Sequence, residues 1–499
     1  MENQTNIQAL LNEYSSQFDY TKKYTSIILA AGHGKRIKSQ TSKMLHKIWG
    51  RTTVERVLSA CKKGLPDSNI IIVVGIKAED VIKTLGKNES VIYAYQEEQL
   101  GTGHAVQTAL GIIDSTKYKG TIFILPGDMG LIESSTIENL RKEYENSKAD
   151  MMVLTGIFQG PVEENYYGRI VRAKSAKNKK DKSLQNVLEI IEYKDILSMK
   201  DKEKHVISYK NRLYRYSKKE LLEIREFNSG VFVFDFKKLS KLVYKLNTAN
   251  VQKEIYLTDL ILLFNKQGYR VQAVSPKDQT EILGFNNKSV LKKMNAVARK
   301  RAYERIKDLI VIDDPDDFFL DEEILTQIEM MDSNGIPLDI QIGQGVYVAK
   351  GAKLNYNLTL MKNVYIDGNI SFGKNVVIKD NVQLTCFSGQ TMEIGNNVEI
   401  FSGDIIKGNV KIGDDVKIES GVRITGSDEY PTLIGKNVII KGVTYIFGSE
   451  IEENFFVEHC VLVRKVLSKP PNFNGNIFTV RYYLPEAEGI EAIKNKQTP

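Results

Sequence analysis

The chain has 499 residues, a formal net charge of +7, 42% hydrophobic and 26% charged residues, and three cysteines. That length exceeds one hydrophobic core and predicts two domains, and the composition excludes a disordered or fibrous chain. Cys61, Cys386 and Cys460 are scattered without metal-ligand spacing, which excludes a disulfide scaffold and fits a reducing compartment. No apolar run approaches about 18 residues, so no membrane span is expected.

Residues 1–24 are polar and lack the basic start and apolar centre of a secretory leader, which predicts a cytoplasmic protein with an N-terminal extension. Within it, Asn6 to Phe18 has the spacing of a short amphipathic helix. From Thr25 the pattern alternates. A strand at Ile27–Ala31 feeds the turn Gly32-His33-Gly34, with Lys35, Arg36 and Lys43 close behind. Glycine lets backbone N–H groups close on an anion, so this turn fits a phosphate cradle. A Gly-x-Gly after a strand fits a plain tight turn equally well. In the cradle reading, Gly32 and Gly34 hold a nucleoside triphosphate, and Arg36 and Lys43 balance its charge.

Further along, the spacing predicts a helix near Thr53–Lys63, a strand at Ile70–Gly75, a helix at Ala78–Leu85 and a strand at Val91–Ala94. A helix at Thr102–Leu110 follows, then a strand at Thr121–Leu125 that ends in Gly127-Asp128. This is an α/β Rossmann-like arrangement, a mostly parallel or mixed sheet with helices on both faces, whose ligands sit beyond the carboxyl ends of the strands. The glycine turn and Asp128 both fall at such ends. A bare carboxylate beside a phosphate cradle would repel the substrate, so Asp128 is read as a ligand of a hard divalent cation.

Residues 173–225 carry extra, lysine-rich sequence. The run Lys174 to Lys182 has no interleaved aromatic residue and reads as a solvated loop, with no nucleic-acid partner. The first domain is expected to end near residue 305, and residues 306–339, with the acidic run Asp313 to Asp317, to form a solvated linker and first coil. Then a period of six takes over. Ile340, Val346, Ala352, Leu358, Val364, Ile370, Val376 and Val382 form one apolar register, and Ile342, Val348, Leu354, Leu360, Ile366, Phe372, Ile378 and Leu384 a second. After a break at Thr385 to Thr391 the period resumes through Ile394, Ile400, Ile406, Ile412, Ile418 and Ile424. Such hexads mark a parallel β-helix over residues 340–465, with a corner loop at the break. Beyond Val466, Pro470-Pro471 predicts a tail, residues 466–499, that leaves the coil axis.

The motifs Leu29 to Arg36, Lys43 to Gly50, Gln96 to Ala105 (QEEQLGTGHA), Gly127-Asp128, Tyr167-Gly168-Arg169-Ile170, Glu192 in IIEYKD, Asn228-Ser229-Gly230, Tyr256 to Asp259 and Gly284 to Asn287 stand in order over about residues 25 to 300. Together they resemble the pyrophosphorylase domain of the bacterial bifunctional N-acetylglucosamine-1-phosphate uridylyltransferase/glucosamine-1-phosphate acetyltransferase family. The resemblance implies a nucleotidyltransferase domain followed by a left-handed β-helix that trimerises. It also implies Mg²⁺-assisted, in-line formation of UDP-N-acetylglucosamine and pyrophosphate from UTP and N-acetylglucosamine 1-phosphate. Carried over by motif, Ala30, Ala31, Gln96 and Gly101 hold the uracil. Thr102, Gly168, Glu192 and Asn228 hold the amino-sugar, and Asn286 joins Asp128 as a metal ligand.

This reaction needs no protein acid or base, so His33, His46 and His104 are read as packing or locally bonded residues. Tyr166 and Tyr167 fit either a sugar platform or a cover for the sheet edge. Lys35 and Pro126 depart from the family pattern, and the 173–225 insertion borders the sugar positions, which leaves another sugar 1-phosphate as an alternative substrate. The family's acetyltransferase histidine motif is missing, because the only histidine after His205 is His459. The expectation is a β-helix that assembles subunits without acetyl transfer. A non-catalytic assembly or regulatory protein is the reading from another class.

Overall fold

The computed structural model describes residues 2–32, 34, 37–173 and 186–486. His33, Lys35, Arg36 and the lysine run 174–182 lie outside the described residues. Two units divide the chain, residues 1–295 and 296–499. Among the described residues no helix is long and apolar enough to cross a membrane.

In the first unit a mixed sheet carries the strands in the order Val271–Val274, Met151–Ile157, Glu226–Asp235, Thr121–Pro126, Tyr24–Leu29, Ser68–Val74 and Val91–Tyr95. Every residue of Ser68–Val74 is buried, as befits a parallel strand covered on both faces. Tyr24–Leu29 runs parallel to Ser68–Val74 and to Thr121–Pro126, which brings the glycine turn and Asp128 to the same edge. Glu226–Asp235 runs antiparallel to both of its neighbours, so the sheet is mixed. Helix Thr53–Gly64 starts on a capping box between Thr52 and Glu55, and buries Val54, Val57, Leu58 and Cys61 against the sheet.

Residues before the first strand are not a separate appendage. Helix Glu2–Tyr14 sinks Leu10 and Leu11 into the main core, and Ser16 N–H donates to Val91 O at 2.7 Å, capping the sheet edge. The described part of the insertion forms the hairpin Lys204–Tyr209 and Arg212–Ser217 with two short helices. It has its own small core, built on Ile196, Ile207, Tyr216 and Leu221.

The second unit is a left-handed β-helix, and its described residues form three parallel sheets of nine, eight and six strands. Leu358 pairs with Val376, three hexads on, and every residue of the apolar registers is buried. At one corner Asn357, Asn375, Asn397 and Asp415 hold φ of 55–59°. Each side-chain amide donates to the next residue up the ladder, at 2.9, 2.8 and 2.8 Å. Asparagine adopts this left-handed backbone more readily than other residues with a β-carbon.

The corner loop at the hexad break is present, and a second loop at residues 427–431 meets it: Asp428 accepts from Gln390 and Asn409 at 3.0 and 2.8 Å. The acidic run forms the turn between the first coil strands, Val311–Ile312 and Phe318–Leu320. The tail corrects the expectation. Past Pro470-Pro471, Phe478–Arg481 returns as a further parallel strand on Phe455–Glu458, drawn back by the contacts of Phe478 with Phe455 and Phe473.

Candidate functional site

A cavity of about 560 Å³ opens at the carboxyl ends of the parallel strands in the first unit. Ala31, Gly32, Gly34, Lys43, Gln96, Gly101, Thr102, Asp128, Glu192 and Asn228 all line it. Ala30 sits directly behind, with its N–H on Val73 O at 2.8 Å and almost no exposure. Gly168 and Asn286 touch lining residues, and Arg36 falls outside the described residues.

At the glycine end, Gly34 has φ of +70°, and a β-carbon there would lie 2.8 Å from Lys43 Cβ. Glycine is therefore required for the turn to pass over the lysine stem. Lys43 opens the short turn Lys43–Leu45, capped by Ser42. Its ammonium forms a close ion pair with Asp128 and donates to Asn286 Oδ1 at 3.1 Å. One carboxylate and one amide oxygen thus converge on a single cation. That donor set suits a hard divalent ion completed by phosphate oxygens and water.

Opposite, Gln96 is buried at 3% exposure, with its backbone N–H on Val74 O and its amide donating to Gly101 O at 3.2 Å. Gly101, at φ +112°, caps helix Thr102–Leu110. A β-carbon there would lie 2.6 Å from Ile255 O. Gly103 N–H donates to Ile255 O at 2.8 Å, Ile255 N–H to Leu100 O at 2.7 Å and Leu257 N–H to Thr102 Oγ1 at 3.2 Å. The QLGTGHA segment is therefore clamped to residues 254–257, which brings Glu254, Leu257 and Thr258 into the wall.

At the third side, Thr258 donates to Glu192 Oε1 at 3.5 Å. Burial, reinforced by Asp195 and Asp259, pushes the Glu192 carboxyl up to about 7. Asn228 N–H donates to Gly168 O at 2.9 Å. The bulge at Asn228–Val231 turns on Gly230, φ +84°, whose missing β-carbon leaves room for Pro126. Arg169, fully buried, holds the 165–167 loop by donating to Tyr167 O and to Asn165 O.

The histidines behave as local residues where they are described. His104 Nδ1 lies 3.1 Å from Gln96 Nε2 and 3.0 Å from Glu98 O, and His46 packs edge-on against Phe285. Tyr167 stacks on Phe227, and exposed Tyr166 packs edge-on against Tyr193. Neither tyrosine lines the cavity. Gln99, Glu254 and Thr258 also line it, and motif spacing alone gives them no role, although all three lie in or beside the motifs QEEQLGTGHA and YLTD.

Residues 26–197 match the MobA-like NTP transferase domain. A bifunctional protein GlmU of Lactobacillus johnsonii is 31% identical over 392 residues, covering 76% of each chain. The chain belongs to the GlmU family. A GlmU of Clostridium botulinum is 30% identical over 75% of this chain and 70% of its own, and one of Caldicellulosiruptor saccharolyticus is 34% identical over 54% and 50%. As a GlmU-family chain with an NTP transferase domain, it is a nucleotidyltransferase, and the cavity lies at the strand ends where such a fold binds its ligands.

Proposed function

We propose that this GlmU-family chain is a uridylyltransferase that forms UDP-N-acetylglucosamine and pyrophosphate from UTP and N-acetylglucosamine 1-phosphate. The observation that carries this reading is the convergence of Lys43, Asp128, Gln96, Glu192 and Asn228 on one cavity. A phosphate oxygen of the sugar phosphate attacks the α-phosphorus of UTP in line, and the bond to the bridging oxygen breaks as pyrophosphate leaves. No protein nucleophile takes part; positioning and charge neutralisation supply the catalysis.

Lys43, with Arg36 of the glycine-turn motif, counters charge on the leaving pyrophosphate, and Gly32 and Gly34 let backbone N–H groups reach the phosphates. The backbone at Ala30, Ala31 and Gly101 and the Gln96 amide read the uracil edge. A mismatched base leaves these buried groups unpaired, which is the source of discrimination. Glu192 accepts from sugar hydroxyls, with Asn228, Thr102 and Gly168 framing the ring. Asp128 and Asn286 fit a Mg²⁺ ion, which when bound supplies Lewis-acid neutralisation of the phosphates.

The β-helix is proposed to assemble a homotrimer in the cytoplasm, without acetyl transfer. His459, the one histidine in the coils, sits at φ +53°, stacks on Tyr482 at 5.5 Å and lies against Gly442. Such a ring has a structural occupation. A second sugar reading draws on one feature: the helix Tyr193–Ser198 of the insertion begins directly after Glu192. A non-catalytic role is disfavoured by the retention of both Lys43 and Asp128.

The test is pyrophosphate release from UTP and Mg²⁺ with N-acetylglucosamine 1-phosphate, glucose 1-phosphate, or glucosamine 1-phosphate plus acetyl-CoA, with Asp128→Ala as control. Release with the first sugar, lost in the variant, supports the reading. Preference for glucose 1-phosphate moves the assignment to the second sugar, and silence with all three favours the non-catalytic protein.

A further inference from the structure

Lys43 is the one cation among the described residues lining the cavity, and it is held by the two oxygens that the proposed metal would need. The Lys43 and Asp128 side chains are only 12% and 13% exposed. A carboxylate so desolvated requires a positive partner, and Lys43 is that partner. Phe285 closes the site from one side, with its ring centroid 5.3 Å from the ammonium. Gly284 passes close enough that a β-carbon there would lie 3.1 Å from Asp128 Oδ2. A divalent cation and the ammonium cannot both occupy this position, since like charges a few ångströms apart in a partly desolvated site repel strongly. The stem of Lys43 is pinned against Gly34, whereas its long side chain lets the ammonium swing towards an anion resting on the glycine turn.

We propose that Lys43 is a counter-ion latch: its ammonium occupies the Asp128–Asn286 cation position until a nucleotide polyphosphate draws it away. The inference rests on the proposed roles of Asp128 and Asn286 as metal ligands. Its consequence is thermodynamic. If the polyphosphate removes the competing cation, nucleotide and metal must each tighten the binding of the other by the same factor. The free protein then has little affinity for a divalent ion, and the metal enters with or after the nucleotide. Lys43 thereby acts twice, first as a stand-in cation and then as a phosphate ligand.

The experiment is Mn²⁺ binding to the full-length, nucleotide-free protein, read from the electron paramagnetic resonance signal of free Mn²⁺. Lys43→Met and Lys43→Gln are both measured, because Gln still offers Asp128 a hydrogen bond should Met fail to fold. Both neutral variants are expected to bind Mn²⁺ about tenfold or more tighter than the wild type, within the usual range of coupling between sites. Lys43→Arg keeps the charge and should stay within about twofold of the wild type, whereas adding Asp128→Asn should remove the gain. Equal affinity in the wild type and the neutral variants overturns the latch, and so does a gain that survives Asp128→Asn. Pyrophosphate release is assayed separately on the wild type. No release with any sugar 1-phosphate sinks the functional reading, whereas normal release with unaltered Mn²⁺ binding sinks the latch alone.

Discussion

Glu192 Oε1 lies 3.0 Å from the point where a β-carbon on Gly168 would stand. The glycine in Tyr167-Gly168-Arg169 is thus the space that seats the carboxylate, and Arg169 holds the loop on which it sits. In Gly168→Ala the new methyl meets two side chains rather than backbone, the Glu192 carboxyl and, at 3.1 Å, Ile190 Cγ2, so the fold should survive while the carboxyl, the end of the longer side chain, is displaced. The expected outcome is a rise of about tenfold in the KM for the sugar 1-phosphate, with the KM for UTP changed less than twofold, because a small displacement of a positioning group acts on its own ligand. Parallel increases in both constants would show that Gly168 supports the whole cavity and not the sugar side.

The same carboxylate sets a pH dependence. Glu192 rises from its ordinary 4.5 to about 7, first through burial and then through Asp195 and Asp259. A group whose folded value is raised binds more protons in the folded protein than in the unfolded one. Its contribution to stability is therefore complete below about 4.5 and is lost as pH rises through about 7. Glu192→Gln should unfold at a higher temperature than the wild type at pH 8, and the advantage should vanish by pH 4. Thermal unfolding across that range checks the sign, and a constant offset at every pH would rule out titration of Glu192 as the cause.

Gly32 and Gly101 are both site glycines, yet they should respond oppositely to alanine. A β-carbon at Gly32 meets nothing within 4 Å, whereas at Gly101 it lies 2.6 Å from Ile255 O on a backbone with φ of +112°. Gly101→Ala is expected to cost about 2 kcal/mol or more, because neither the carbonyl nor the left-handed backbone can yield cheaply. Gly32→Ala should leave the melting temperature of the ligand-free protein unchanged and weaken UTP about tenfold, as a methyl in a phosphate cradle must. Undiminished UTP binding in Gly32→Ala would return that turn to the plain tight-turn reading.

These contrasts mark what a sequence can and cannot carry. The hexad registers from Ile340 and Ile342 are legible because a coil interior admits only apolar residues at fixed spacing, and each of them is buried. The strand ends that carry Gly34 and Asp128 are legible for the same reason, since turn chemistry interrupts an apolar run. The reversed direction of Glu226–Asp235 is not, because a buried strand has the same composition whichever way it runs. Glu254 and Thr258 reach the wall through backbone hydrogen bonds between Ile255 and residues 100–103, and such bonds leave no mark on side-chain identity. Pro470-Pro471 reads as a stop, yet here it lies in a spacer between two coil strands, and the aromatic pair Phe473 and Phe478 brings the chain back. Lys43 is legible as a phosphate ligand, while its ion pair with Asp128 depends on two loops far apart in sequence.

The asparagine ladder of the second unit gives the last test. Asn397 has φ of 57°, accepts from Asn375 at 2.8 Å and donates to Asp415 at 2.8 Å. Two separable effects stabilise it: tolerance of the left-handed backbone and the pair of ladder bonds. Asn397→Ala loses both and should cost about 2 kcal/mol in urea unfolding, the ladder share being modest because the corner is exposed. Asn397→Gly removes the ladder and relieves the backbone, so its loss should be smaller, about 1 kcal/mol, with part of that arising from the freer unfolded chain. Equal losses in the two variants would assign the whole effect to the ladder. A glycine variant less stable than the alanine one would mean that the left-handed corner exerts no strain on a side chain at all.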